Sequence, residues 1–126
     1  MPINTTHKIQ SLALLGGVST VAFERIAATD WRFLNSKAGI LICLWSVLPY
    51  VLMACVTELL KTPRTQSWWL AVSAVMVMLA IMAYYHTLFI HPDAQGALIF
   101  LFLPLVQCLI TCGALILIRL LAWLDR

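Results

Sequence analysis

The chain has 126 residues, of which 63% are hydrophobic and 10% charged, with a mean hydropathy of +0.97 and a formal net charge of +3. That composition excludes an ordinary soluble domain. The basic residues are scattered and form no face able to neutralise phosphates, which sets nucleic acid aside as a partner.

Residues 9–28 form the first candidate element. Ile9 to Phe23 is apolar but interrupted by Gln10, Ser11, Ser19 and Thr20, and Glu24 and Arg25 precede Ile26, Ala27 and Ala28. The polar residues do not gather at helical spacing, which argues against an interfacial amphipathic helix. Ala27, Ala28 and Thr29 resemble a cleavage site only faintly, and Glu24 and Arg25 separate them from the apolar core, so retention of the segment is expected. Asp30 suits the cap of a short helix starting at Trp31, and Trp31 and Phe33 have the character of an interfacial belt.

Between Gly39 and Ile118 the acidic and basic side chains are Glu58, Lys61, Arg64 and Asp93, all at or between the ends of three apolar stretches, 39–60, 68–89 and 97–118. A span needs roughly 20 mainly apolar residues, and each stretch is long enough. Helices are required, because a lipid-exposed backbone must satisfy its own hydrogen bonds and the stretches lack barrel-strand alternation. Thr62 and Pro63 are expected to end one helix, with Ser67, Trp68 and Trp69 restarting the chain at the interface, giving a tight antiparallel pair. Pro92 and Asp93 read as the start of a last helix over 92–123, since proline suits a first turn and a carboxylate there meets the helix dipole. Pro49 and Pro104 offer bends. The expected fold is an all-α polytopic membrane bundle, with three strong transmembrane helices and a fourth at 9–28.

Basic residues in short loops favour the cytoplasmic side. The 87–96 connection has no Lys or Arg, whereas Lys61 and Arg64 occupy the preceding loop. A four-pass chain with both ends inside puts Lys8, Lys61, Arg64, Arg119 and Arg126 in, against Arg25, Arg32 and Lys37 out, and is favoured over three passes.

Polar groups at depth supply the candidate contacts. Ser46 and Tyr50 share one helix, and Gln107 and Thr111 share a face of another at i, i+4 spacing. These four are expected to make interhelical hydrogen bonds, with a polar lining for a small substrate, ion or quinone as the alternative reading. The bonding role is preferred because no charged residue is expected at mid-span. His86, His91 and Asp93, with Tyr84 and Tyr85 just below, form the candidate site at the outer rim. Imidazoles with a carboxylate suit a metal or a proton relay, while interfacial side chains reaching to headgroups and a helix-start aspartate are the structural alternative. Glu58 and Lys61 are expected to pair at i, i+3. Cys43, Cys55, Cys108 and Cys112 lie in apolar spans as small hydrophobes, and no disulfide is expected. Gly16, Gly17, Gly39, Ala71, Ser73 and Gly113 are the small residues that let helix backbones approach.

At Ser46-Val47-Leu48-Pro49-Tyr50 and at His91-Pro92-Asp93-Ala94-Gln95, running into Ala97 to Leu105, the chain resembles a group of short bacterial multi-pass membrane proteins. The resemblance covers roughly 39–117, implies a hairpin-plus-helix core in a bacterial inner membrane, and implies no activity, substrate or catalytic residue. The combined expectation is a non-enzymatic accessory or structural subunit of a larger membrane complex, self-associated or partnered. The alternatives are a small oligomeric transporter or channel component, and a metal or proton site at the rim. No catalytic set or cofactor is specified.

Overall fold

The computed structural model describes residues 4–28, 30–92 and 96–125, with the side chains of Trp31, Leu34 and Ala97 outside that description. The elements are α1 (Thr5–Ala27), the short α2 (Trp31–Leu34), α3 (Lys37–Leu59), α4 (Pro63–Tyr85), a π-helical turn (His86–Ile90), a 3-10 turn (Gly96–Leu98) and α5 (Ile99–Leu124). The protein is an all-α polytopic membrane bundle. Three segments are long and apolar enough to cross a membrane: Lys37–Leu59, Pro63–Ile90 and Ile99–Leu124.

Local chemistry sets the helix starts. The Asn4 side chain accepts from the Thr6 amide at 3.3 Å, Asp30 from Arg32 at 2.9 Å, and Ser36 from Gly39 at 3.2 Å. Thr62 caps α4 by accepting from the Thr65 amide at 3.3 Å, with Pro63 at the first helical position. Thr62 and Pro63 therefore begin a helix rather than only ending one, because the proline lacks an amide that would go unpaired there anyway. The last helix starts at Ile99 after the 3-10 turn, not at Pro92. Asp93 lies outside the described residues.

Each long helix buries one stripe. In α1 it is Ile9, Ala13, Gly16, Thr20 and Glu24; in α3 it includes Gly39, Ser46, Tyr50, Met53 and Thr57. In α4 it includes Thr65, Trp69, Ser73, Met76, Ala80 and Tyr84; in α5, Phe100, Pro104, Gln107, Thr111 and Ile118. Alternating steps of three and four residues give the seam by which near-aligned helices pack. The stripes carry the polar groups and the opposite faces carry exposed Leu, Ile, Val and Met. Such an inside-out distribution suits lipid rather than water.

α1 packs between α3 and α4, and α5 packs against the same two from the other side. α3 and α4 thus lie across a diagonal, which corrects the expected tight pair: small Ala13 and Gly16 let α1 come close instead. The diagonal is bridged by side chains, the Trp69 indole donating to the Met53 carbonyl at 3.1 Å and the Gln66 amide to the Leu60 carbonyl at 2.8 Å. Trp69 is fully buried, so it is a core residue and not part of an interfacial belt. Trp68 stays beside the Arg64 guanidinium, 5.0 Å from its ring centre.

The expected Glu58–Lys61 pair does not form. α3 ends at Leu59, so Lys61 leaves the helix on which i, i+3 geometry depends. At this end of the bundle Arg64 pairs with Asp125 at 2.9 Å, and Arg119 donates to the Leu59 carbonyl at 3.3 Å.

Candidate functional site

Two apolar clusters divide the bundle core along its length. One gathers Ile9, Ala13, Met53, Val56, Trp69, Met76 and Ile118; the other gathers Ala80, Tyr84 and Phe100, with Phe23 and Ile42 packed against it. Between them runs a polar layer built by two i, i+4 pairs facing one another. Thr20 and Glu24 on α1 meet Tyr50 and Ser46 on antiparallel α3.

The first rung joins Ser46 to Glu24. The Ser46 hydroxyl has one proton and three oxygens within reach: Glu24 Oε1, the Ile42 carbonyl at 2.9 Å and the Cys43 carbonyl at 3.1 Å. It can donate to an ionised Glu24, or accept from a protonated one while donating to its own helix. The contact therefore survives either charge state.

In the second rung Thr20 Oγ1 donates to the Tyr50 hydroxyl at 3.1 Å, and Gln107 Nε2 donates to the same oxygen at 3.2 Å. Tyr50 thus joins α1, α3 and α5, and keeps its own proton to donate. Its ring lies flat against α1 because residue 16 is glycine: a Cβ there would meet Tyr50 Cδ1 at 2.6 Å. Tyr84 closes the layer from α4, stacked on Phe100 at 4.9 Å between ring centres, with Tyr50, Glu24 and Thr20 among its polar neighbours.

Several oxygens of this layer have no hydrogen-bond partner among the described residues. Glu24 Oε2, Gln107 Oε1 and the Tyr84 hydroxyl are all buried without a hydrogen bond, as is Ser73 Oγ in the apolar cluster below. Glu24 is only 5% exposed and Gln107 3%. Leaving such groups unmet costs about 1–3 kcal/mol each, and more for a charge. Buried groups of this kind are ordinarily met by protein, ordered water or an ion.

Depth makes the carboxyl notable. Ser46 and Tyr50 lie two residues to either side of Leu48, the midpoint of α3. Glu24, bonded to Ser46, is thus near mid-span although it stands in the last turn of α1. This corrects the expectation of no charged residue at that depth. α1 extends three residues past Glu24, whereas α3 extends nine past Ser46 toward the same end. At about 1.5 Å per residue, α1 stops about 9 Å short of α3.

The four expected interhelical contacts are all placed in the core. Ser46 meets α1, Tyr50 meets α1 and α5, Gln107 meets α3, and Thr111 Oγ1 points to Met76 Sδ on α4 at 3.8 Å. At the rim the π-turn brings His86 and His91 together, with ring centres 5.0 Å apart and the His91 amide bonded to the His86 carbonyl at 3.0 Å. Residues five apart would point to different faces of an α-helix; the wider turn brings them onto one side. Both are exposed, and among the described residues no three His, Cys, Asp or Glu side chains converge on a metal-sized point. Tyr85 is exposed beside Phe89, but Tyr84 is buried and belongs to the core rather than the headgroup region.

The described cysteines are free. Comparison with known protein families, curated proteins and solved structures finds no match to this chain.

Proposed function

We propose that this protein is a small, non-enzymatic component of a larger membrane assembly in a bacterial inner membrane, and that its working part is the Glu24 layer. The carrying observation is that a 95% buried carboxyl at mid-span keeps one oxygen unpartnered among other unpartnered oxygens. Ionisable groups at such depth are rare and mark sites of function more often than of packing. The connection between α3 and α4 is only residues 60–62, which offers no platform there for chemistry outside the membrane. Only 22–33% of the residues in the central span windows are buried within the chain, which leaves most of each helix for lipid or a partner.

The test is isolation of the full chain from native membranes in mild detergent, after crosslinking. A stoichiometric partner is expected, either other membrane subunits or further copies of this chain. A lone monomer with nothing crosslinked overturns the assembly reading.

A second reading, a small transporter or channel component, gains from the same carboxyl. It predicts ion flux into proteoliposomes carrying the chain or its assembly, abolished by Glu24→Gln. Flux unchanged by that substitution removes it.

A further inference from the structure

We propose that the Glu24 layer is a binding site for one small monovalent cation, Na+, held by the Glu24 carboxylate, the Gln107 amide oxygen and the hydroxyls around Tyr50. The inference rests on the reading of this layer as the working part of the protein.

The donor set selects the ligand class. Every unpartnered atom in the layer is an oxygen: Glu24 Oε2, Gln107 Oε1 and the Tyr84 hydroxyl. Ser46 and Thr20 add hydroxyls already bonded to Glu24 and Tyr50. Hard oxygens select hard cations and disfavour the thiophilic and imidazole-loving metals. One carboxylate supplies one negative charge, whereas Ca2+ and Mg2+ sites draw on more carboxylates, phosphates or retained water. A single positive charge neutralises the site, and burial of net charge at mid-span is what must be avoided.

A proton on Glu24 would also neutralise the charge, but independently of which salt is present. Glu24 Oε2 and Gln107 Oε1 are both acceptors when the carboxyl is ionised, so neither can satisfy the other. A cation between them meets both.

Other charged and titratable groups leave the assignment intact. Cys43 on α3 and Tyr84 on α4 are neighbours of Glu24 and neutral when protonated. Arg25, the next residue of α1, is exposed, and its charge is felt at Cys43 beside Glu24. The side chain α5 brings into the layer is the uncharged Gln107.

The experiment uses the full chain in lipid nanodiscs and dicyclohexylcarbodiimide, an apolar reagent that attacks buried protonated carboxyls. Adduct formation at Glu24 is followed by mass spectrometry at one fixed pH in NaCl, KCl or choline chloride. NaCl is expected to slow labelling about tenfold when Na+ stands about ten times above its dissociation constant. KCl and choline chloride should leave the rate unchanged. Gln107→Leu should remove the protection by Na+ while leaving Glu24 reactive. Equal labelling in all three salts overturns the proposal. If the reagent does not reach Glu24, equilibrium binding of radioactive Na+ to the same nanodiscs decides: saturable binding lost in Glu24→Gln supports the site, and no binding by the native chain overturns it. Salt-insensitive labelling of a chain that still copurifies with its assembly removes this inference alone.

Discussion

Glu24 and Tyr50 have opposite relations to stability although they stand one helical turn apart in the same layer. Tyr50 accepts from two helices, so Tyr50→Phe strands Thr20 Oγ1 and Gln107 Nε2 in the core. With interhelical bonds worth about 0.6 kcal/mol on average and up to about 1.7, a loss of about 1–2 kcal/mol is expected in reversible unfolding in detergent or bicelles. Glu24→Met should cost little or even stabilise, since buried charged groups are often replaceable by apolar ones of similar shape. Ser46 would not be stranded, because the Ile42 and Cys43 carbonyls remain in reach. A loss above about 2 kcal/mol in Glu24→Met would make the carboxyl a structural member and remove the ground for a functional one. Ser46, Tyr50, Gln107 and Thr111 could be found in the sequence because polar residues inside apolar runs stand out. Glu24 could not, because beside Arg25 in a mixed segment it reads as the boundary of a span. The missed signal is the stripe Ile9, Ala13, Gly16, Thr20 and Glu24, one helix face in steps of four, three, four and four. It places Glu24 on the same face as the small residues that press α1 into the bundle.

The helices as units were legible from hydropathy and length, but their neighbours were not, since sequence adjacency suggested a tight α3–α4 pair. What sets the packing is side-chain volume along each stripe. Gly16 is the tightest point, where the Tyr50 ring takes the space of a side chain. Gly16→Ala should therefore push the ring off α1, costing about 1–3 kcal/mol as overpacking does and loosening the Thr20–Tyr50 bond. Gly113 makes the contrast. A Cβ there meets nothing within 4 Å and the residue faces outward, as Ala71 does, so neither assists packing within this chain. Gly113→Ala should be neutral or slightly stabilising in the isolated chain, as alanine is the better helix former by about 1 kcal/mol. Unfolding curves of the two variants side by side check the assignment; equal losses would mean that helix propensity, and not the Tyr50 contact, governs position 16. The π-turn at the far end of α4 was similarly hidden, because no residue preference in His86–Ile90 announces a widened turn, and I, i+4 spacing gives no reason to associate His86 with His91.

The molecule as a whole has two unlike ends, fixed by the direction in which α1 runs. Glu24 meets Ser46 and Thr20 meets Tyr50, so α1 is antiparallel to α3 and brings the start of the chain to the end that holds Lys61, Arg64 and Arg119. Arg25, Arg32 and Lys37 mark the opposite end, together with His86 and His91. Low hydropathy makes α1 doubtful as a membrane segment, yet two of the residues that lower it are turned inward: Thr20 and Glu24 are 1% and 5% exposed, while Gln10, Ser11 and Arg25 stay on the exposed side. Moving α1 out of the bundle would bare that stripe to lipid and leave Tyr50 and Ser46 without their partners, so the helix is held by the groups that disguise it. This arrangement predicts a topology. Tags at the two chain ends should both react with an impermeant reagent from one face of sealed vesicles, the cytoplasmic face by the positive-inside rule. A cysteine placed at His91 in a chain with its native cysteines replaced by serine or alanine should react from the other. If the two ends react from opposite faces, α1 does not run alongside α3 in the membrane, the Glu24–Ser46 rung is lost, and with it the buried layer on which the proposed function rests.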